Sequence, residues 1–96
     1  MRVELTESFN KCIKRFSENV RNQVISKLDE LVTNRCRALK LVGRLSKYSS
    51  LRVSRELFVI VKHVPEQKLV RAYGICRRES LVEELREILE SQRGSP

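Results

Sequence analysis

The sequence predicts an α+β domain: an N-terminal helical hairpin packed on an antiparallel β-sheet, with a C-terminal helix closing the chain. Three observations carry this. Apolar residues recur at helical spacing between residues 9 and 32, alternate or run continuously as in strands from residue 38, and return to helical spacing after residue 80. A chain of 96 residues suits one domain spanning 1–96, and at this size folding buries only about two-thirds of the surface of the unfolded chain. The core must therefore be compact.

Each element has its own signal. Val3 and Leu5 alternate with Arg2 and Glu4, the pattern of a short strand. Phe9, Cys12, Ile13 and Phe16 make one helical stripe after a capping Thr6 or Ser8. Ser17 is placed to cap a second helix, in which Val20, Val24, Ile25, Leu28, Leu31 and Val32 repeat until "TNRCR" interrupts them. The period then changes. "ALKLVG" stops at Gly43, "YSSLRVS" sets Leu51 and Val53 against Arg52 and Ser54, "LFVIV" is an apolar run rich in β-branched residues, and "KLVRAYGIC" alternates again. The loops between these strands are too short for crossovers, so the sheet from residue 38 onward is expected to be antiparallel. Finally, "SLVEELREILES" opens with Ser80 and Glu83 at capping-box spacing and puts Leu81, Leu85, Ile88 and Leu89 on one face.

Charge is unevenly spread. The net charge is +8, and residues 35–78 hold twelve Lys/Arg against two Asp/Glu, whereas residues 1–34 hold six against five and residues 79–96 two against five. A basic segment between near-neutral and acidic ones is a candidate footprint for a polyanion, nucleic acid above all. The acidic final segment reads most simply as a solvated helix face.

Other classes are disfavoured. No apolar run approaches the roughly 20 residues needed to span a bilayer, and "MRVELTESFN" lacks the apolar stretch of a signal peptide, so a cytoplasmic protein without membrane partners is expected. Cys12, Cys36 and Cys76 have no C-x-x-C spacing, and His63 is remote from them in sequence. This argues against a disulfide framework and a zinc site; the cysteines are expected to be small apolar residues, with Cys36 the exception if exposed. No metal-ligand cluster or glycine-rich phosphate loop points to a cofactor.

Strand parity locates the charge. If Leu51 and Val53 face the core, Arg52 faces away. Leu69, Arg71, Tyr73 and Ile75 share one parity of the last strand, so Arg71 and Tyr73 are expected on the open face with Arg52, and Arg77 and Arg78 at its end.

The stretch "LKLVGRLSKYSSLRVSRELFVIVKHVPEQKLVRAYGICRRESL" resembles the RelE/ParE toxin superfamily: a Leu-x-x-Leu-x-Gly-like segment, an L-R-V strand, an apolar strand and a strand ending in a basic pair. The resemblance implies a RelE-like toxin component of a type II toxin–antitoxin system, a metal-independent endoribonuclease that cleaves mRNA on the ribosome and is held inactive by a cognate acidic antitoxin. A ParE-like or degenerate member would instead bind a protein target such as gyrase, or bind RNA without cutting it. Carried over by position, Arg52 and Arg77 fall at catalytic-site positions. Three departures stand out: Leu57 where many members have a second arginine, Cys76 where many have His or Lys, and Glu83 near a functional tyrosine.

The chemistry fits these roles. Attack of a ribose 2′-OH on its phosphate needs proton removal, stabilisation of charge on the phosphoryl oxygens, and protonation of the leaving oxygen. Arginine meets the second need, because its fork pairs phosphate oxygens and its high pKa makes it a poor proton shuttle. Arg52 and Arg77 are therefore the expected catalytic charge stabilisers, and Arg55, Arg71, Arg78, Lys47 and Tyr73 the expected RNA-binding residues. Proton-transfer candidates are Lys47, Tyr48, Tyr73, Glu56, Glu83 and His63.

Overall fold

The computed structural model describes residues 1–41, 43–81, 83, 86 and 87. Among the described residues, helices α1 (Glu7–Ile13) and α2 (Glu18–Val32) accompany strands β1 (Arg2–Leu5), β2 (Leu39–Lys40), β3 (Ser49–Arg52), β4 (Leu57–Val64) and β5 (Leu69–Arg77). The strands form one sheet in the order β1-β5-β4-β3-β2. Pairings β2–β3, β3–β4 and β4–β5 are antiparallel, as the short loops require. β1 is the exception. It lies parallel to β5, with Arg2 opposite Leu69 and Leu5 opposite Ala72, because the helical hairpin serves as a long connection back to the sheet.

The helix starts follow the capping rule. Thr6 Oγ1 accepts from the Phe9 N–H at 3.2 Å, and Ser17 Oγ accepts from the Val20 N–H at 3.3 Å. α1 ends at Ile13, so Phe16 lies beyond it, yet still packs against the core. Ile25 departs from the expected stripe and is 47% exposed, because α2 turns Val24, Leu28 and Leu31 toward the sheet and leaves Ile25 on its flank.

One core lies between the helices and the sheet, where Phe9, Val24, Leu28 and Leu31 meet Leu51, Val59, Val61, Val70, Ala72 and Ile75. The opposite face, expected to be at least partly open, carries a second buried cluster. Tyr48, Ile60, Tyr73 and Cys76 are buried there under Leu41, Leu45, Phe58 and Leu81, and the two tyrosine rings meet edge to face at 5.4 Å. Segments before β3 and after β5 cover this face because its side chains are themselves large and apolar.

Tyr73 also breaks the parity of β5. Ile60 pairs with Gly74 but Val61 with Ala72, which leaves Tyr73 as the extra residue of a β-bulge. Val70 and Ala72 thus face the helices before the bulge, and Ile75 faces them after it. Strict alternation assigns Ile75 to the opposite side.

β5 is longer than its parallel neighbour, and α1 completes the difference. Where β1 stops, the Thr6 N–H and hydroxyl both donate to the Ala72 carbonyl, at 3.2 and 2.8 Å. Further along, Cys12 Sγ donates to the Ile75 carbonyl at 3.3 Å and accepts from the Ile75 N–H at 3.4 Å. A residue expected to be a plain apolar filler thus satisfies two backbone groups of an edge that has no strand beside it. Of the expected C-terminal helix, Ser80 ends a 3-10 turn (Arg78–Ser80) and Leu81, Glu83, Arg86 and Glu87 are helical; the other residues of that segment, with Leu85, Ile88 and Leu89, lie outside the described residues. Among the described residues, no helix is long and apolar enough to cross a membrane.

Candidate nucleic-acid interface

The end of the sheet where β3 turns into β4 brings Arg52, Arg55 and Arg78 together. Val53 and Ser54 N–H groups both donate to the Leu57 carbonyl, at 2.8 and 3.3 Å, which closes the four-residue turn. The Arg78 N–H donates to the Glu56 carbonyl at 2.9 Å and ties this turn to the segment after β5. Between them lies an open cleft of about 590 Å³ lined by Arg52, Arg55, Glu56, Arg78 and Glu79. Arg52 Nε donates to the Ser54 carbonyl at 3.3 Å, which orients the guanidinium and leaves its terminal N–H groups for another acceptor. Among the described residues, neither Glu56 nor Glu79 approaches an arginine within the 4.0 Å of an ion pair. The cleft therefore keeps arginine charge that no contacting carboxylate cancels.

Arg77 is not part of this cleft. Directly opposed residues share a sheet face. Arg77 opposes Leu57, which packs on the helix-side core, whereas Arg52 opposes Phe58, which packs on the tyrosine-side cluster. The two arginines expected to act together thus emerge from opposite faces, and Arg78 stands beside Arg52 instead. The bulge at Tyr73 is the physical reason, since it moves every later residue of β5 to the other side.

Arg71 is also differently placed. It lies near the start of β5, where its Nε donates to Glu4 Oε1 at 2.7 Å. Hydrogen bonding to Tyr73 and then to Glu4 raises its pKa further above the usual guanidinium range. Tyr73 is only 7% exposed, with its ring packed edge to face against Tyr48. Lys47 is exposed but precedes β3, at the end of the sheet away from the cleft.

The proton-transfer candidates divide similarly. His63 is exposed near the far end of β4, six residues from Leu57, or about 20 Å along an extended strand. Burial, with Tyr73 alongside, pushes the Tyr48 hydroxyl up and keeps it protonated. Glu83 is exposed. Among the described residues, Glu56 and Glu79 are the carboxylates at the cleft; Glu79 opens the acidic final segment that the sequence presents most simply as a solvated face. Leu57 packs on the helix-side core and Cys76 is buried in the tyrosine-side cluster, so neither lines the cleft. Cys36 is half-buried, and burial, reinforced by Glu30, pushes its thiol up. Among the described residues, no group of three or more His, Cys, Asp or Glu is placed to hold a metal ion.

No family model and no curated relative matches the chain. Solved structures do. The RelBE2 toxin–antitoxin complex of Mycobacterium tuberculosis contains a chain similar to this one at a TM-score of 0.69 and 14% identity, covering 80% of this chain and 96% of that one. A YoeB/ParE toxin from Agrobacterium tumefaciens matches at 0.66 and 13% identity, covering 81% and 99%. A YafQ mutant from E. coli matches at 0.63 and 19% identity, covering 82% and 94%. The chain has the fold of RelE-, YoeB-, YafQ- and ParE-type toxins.

Proposed function

We propose that this chain is the toxin of a type II toxin–antitoxin pair and that it cleaves mRNA on the ribosome, with the Arg52–Arg55–Arg78 cleft as its RNA site. The observation that carries the reading is the cleft itself, which collects three arginines without a contacting carboxylate at the end of a sheet of this fold. Arg52, oriented by the Ser54 carbonyl, stabilises the charge that develops on the phosphoryl oxygens; Arg78 takes the part expected of Arg77, and Arg55 grips the backbone. Positioning of the message by the ribosome supplies the alignment of the 2′-OH. The cognate antitoxin is an acidic protein that neutralises the basic segment. Likeness to chains of the RelBE2 toxin–antitoxin complex and the DinJ–YafQ complex supports this partner.

A second reading, a binder that does not cut, is favoured by one observation: Leu57 and Cys76 are packed into the two cores, so neither supplies a further phosphate or proton contact at the cleft. Primer extension on translating ribosomes separates the two. Ribosome-dependent cuts by wild type that disappear in folded Arg52→Ala support the nuclease. Their absence from wild type leaves the arginines as binding residues.

A further inference from the structure

β1 is an edge strand, and its sequence is complementary to itself. Met1-Arg2-Val3-Glu4-Leu5 reads apolar, basic, apolar, acidic, apolar. Laid antiparallel against a second copy about Val3, it sets Arg2 opposite Glu4 of the second copy, Glu4 opposite Arg2, Met1 opposite Leu5, and Val3 opposite Val3.

The backbone has the matching phase. The Arg2 N–H donates to the Lys68 carbonyl and the Thr6 N–H to the Ala72 carbonyl, so the even-numbered residues of β1 turn their polar groups toward β5. Period two turns those of Val3 and Leu5 outward. A two-fold axis at Val3 uses those outward groups, with Val3–Val3 and Met1–Leu5 as the hydrogen-bonded pairs of the new ladder. An axis at Arg2 or Glu4 would face groups already bonded to β5.

The side chains agree. Three of the four exposed large hydrophobics among the described residues, Met1 (62%), Leu5 (38%) and Ile25 (47%), meet at a groove of about 400 Å³ between β1 and α2, floored by Val3, Leu28 and Val32. On the other face of the strand, Glu4 gives one carboxylate oxygen to Arg71 and keeps the second for an incoming Arg2. The chain's net charge of +8 opposes self-association at long range, but Arg2 and Glu4 sum to zero at the contact, and salt screens the remainder. The opposite edge, β2, has only two residues and no such complement.

We propose that two copies of this chain pair through antiparallel β1 strands about a two-fold axis at Val3, joining their sheets and covering the β1–α2 groove. This is an isologous contact, so each favourable charge pair occurs twice. It does not depend on the toxin reading.

Sedimentation equilibrium over a concentration series tests it. The purified wild-type chain should run as a species of twice 11.3 kDa. Arg2→Glu and Glu4→Arg each put like charges opposite one another at two places and should raise the dissociation constant by about ten- to thirty-fold. Mixing the two variants in equal amounts restores opposite charges at every position and should restore association, as a heterodimer. Val3→Pro removes the central outward donor while sparing the bonds of β1 to β5, and should also give monomer with an unchanged circular dichroism spectrum. Wild type that stays monomeric throughout, single variants with the wild-type dissociation constant, or a mixture that fails to associate would each overturn the proposal. The first of these would leave the edge to a strand from a different protein.

Discussion

The two ends of β5 both carry arginine, and the structure treats them differently. Arg71, near the start, lies beside β1 and bonds Glu4; Arg78, just past the end, lies where β1 has already stopped and is tied to the β3–β4 turn. The lesson concerns strand length. Four residues of β1 reach Ala72 and bring one carboxylate into an ion pair with Arg71, whereas at the far end Glu56 and Glu79 line the cleft without pairing with its arginines among the described residues. A basic sequence segment is thus divided by its neighbours into a structural pair and a candidate anion site.

The largest effect should fall at the cleft end. Arg52→Ala should slow ribosome-dependent cleavage about 10²–10³-fold if it acts on the transition state, by analogy with a lost oxyanion donor. Arg78→Ala should act in the same direction, and Arg77→Ala, on the other face, should change the rate least. If Arg77→Ala instead proves the most damaging in the same primer-extension assay, the division of the two arginines by sheet face is wrong.

Next in size is the element that creates the division. Tyr73→Ala removes the bulged ring and its edge contact with Tyr48, so urea melts should show a loss of roughly 3 kcal/mol, in the range for large buried aromatic residues. A variant that melts like wild type but binds RNA poorly would restore Tyr73 as a ligand contact.

Salt titration compares the two ends directly. Arg55→Ala should reduce the log–log slope of RNA affinity against salt by about one, as expected for a lost phosphate contact. Arg71→Ala should reduce it by less, because Arg71 already has Glu4. In a double-mutant cycle of Glu4 and Arg71, both partly exposed, the coupling should be about 0.2–1 kcal/mol. Equal slope changes at Arg55 and Arg71 would erase the contrast.

The smallest effect is on alkaline stability. The folded state raises the Tyr48 pKa above its ordinary value of 10.0, so it binds this proton more tightly than the unfolded chain does. Its contribution is complete below pH 10 and is lost as pH rises through the higher folded value. Thermal melts of wild type should therefore decline more steeply above pH 10 than those of Tyr48→Phe, and parallel curves would remove burial of this hydroxyl as the cause.

Local patterning was enough for much of this molecule. Ser17 and the Val24–Leu28–Leu31 stripe marked α2, β-branched runs marked β4 and β5, short loops required antiparallel neighbours, and the charge count placed the basic residues between 35 and 78. These features depend on residues near one another in sequence, where periodicity, capping and loop length act. Tertiary structure alone decided three others: β1 returns parallel to β5, Tyr73 bulges, and Leu41, Leu45 and Leu81 close over the second face. Each depends on partners far apart in the chain. A bulge in particular reverses strand parity, and its local mark here, Gly74 beside Tyr73, is weak because glycine also occurs in regular strands, so "LVRAYGICRR" could show that arginines follow the strand but not that Arg78, rather than Arg77, would stand beside Arg52.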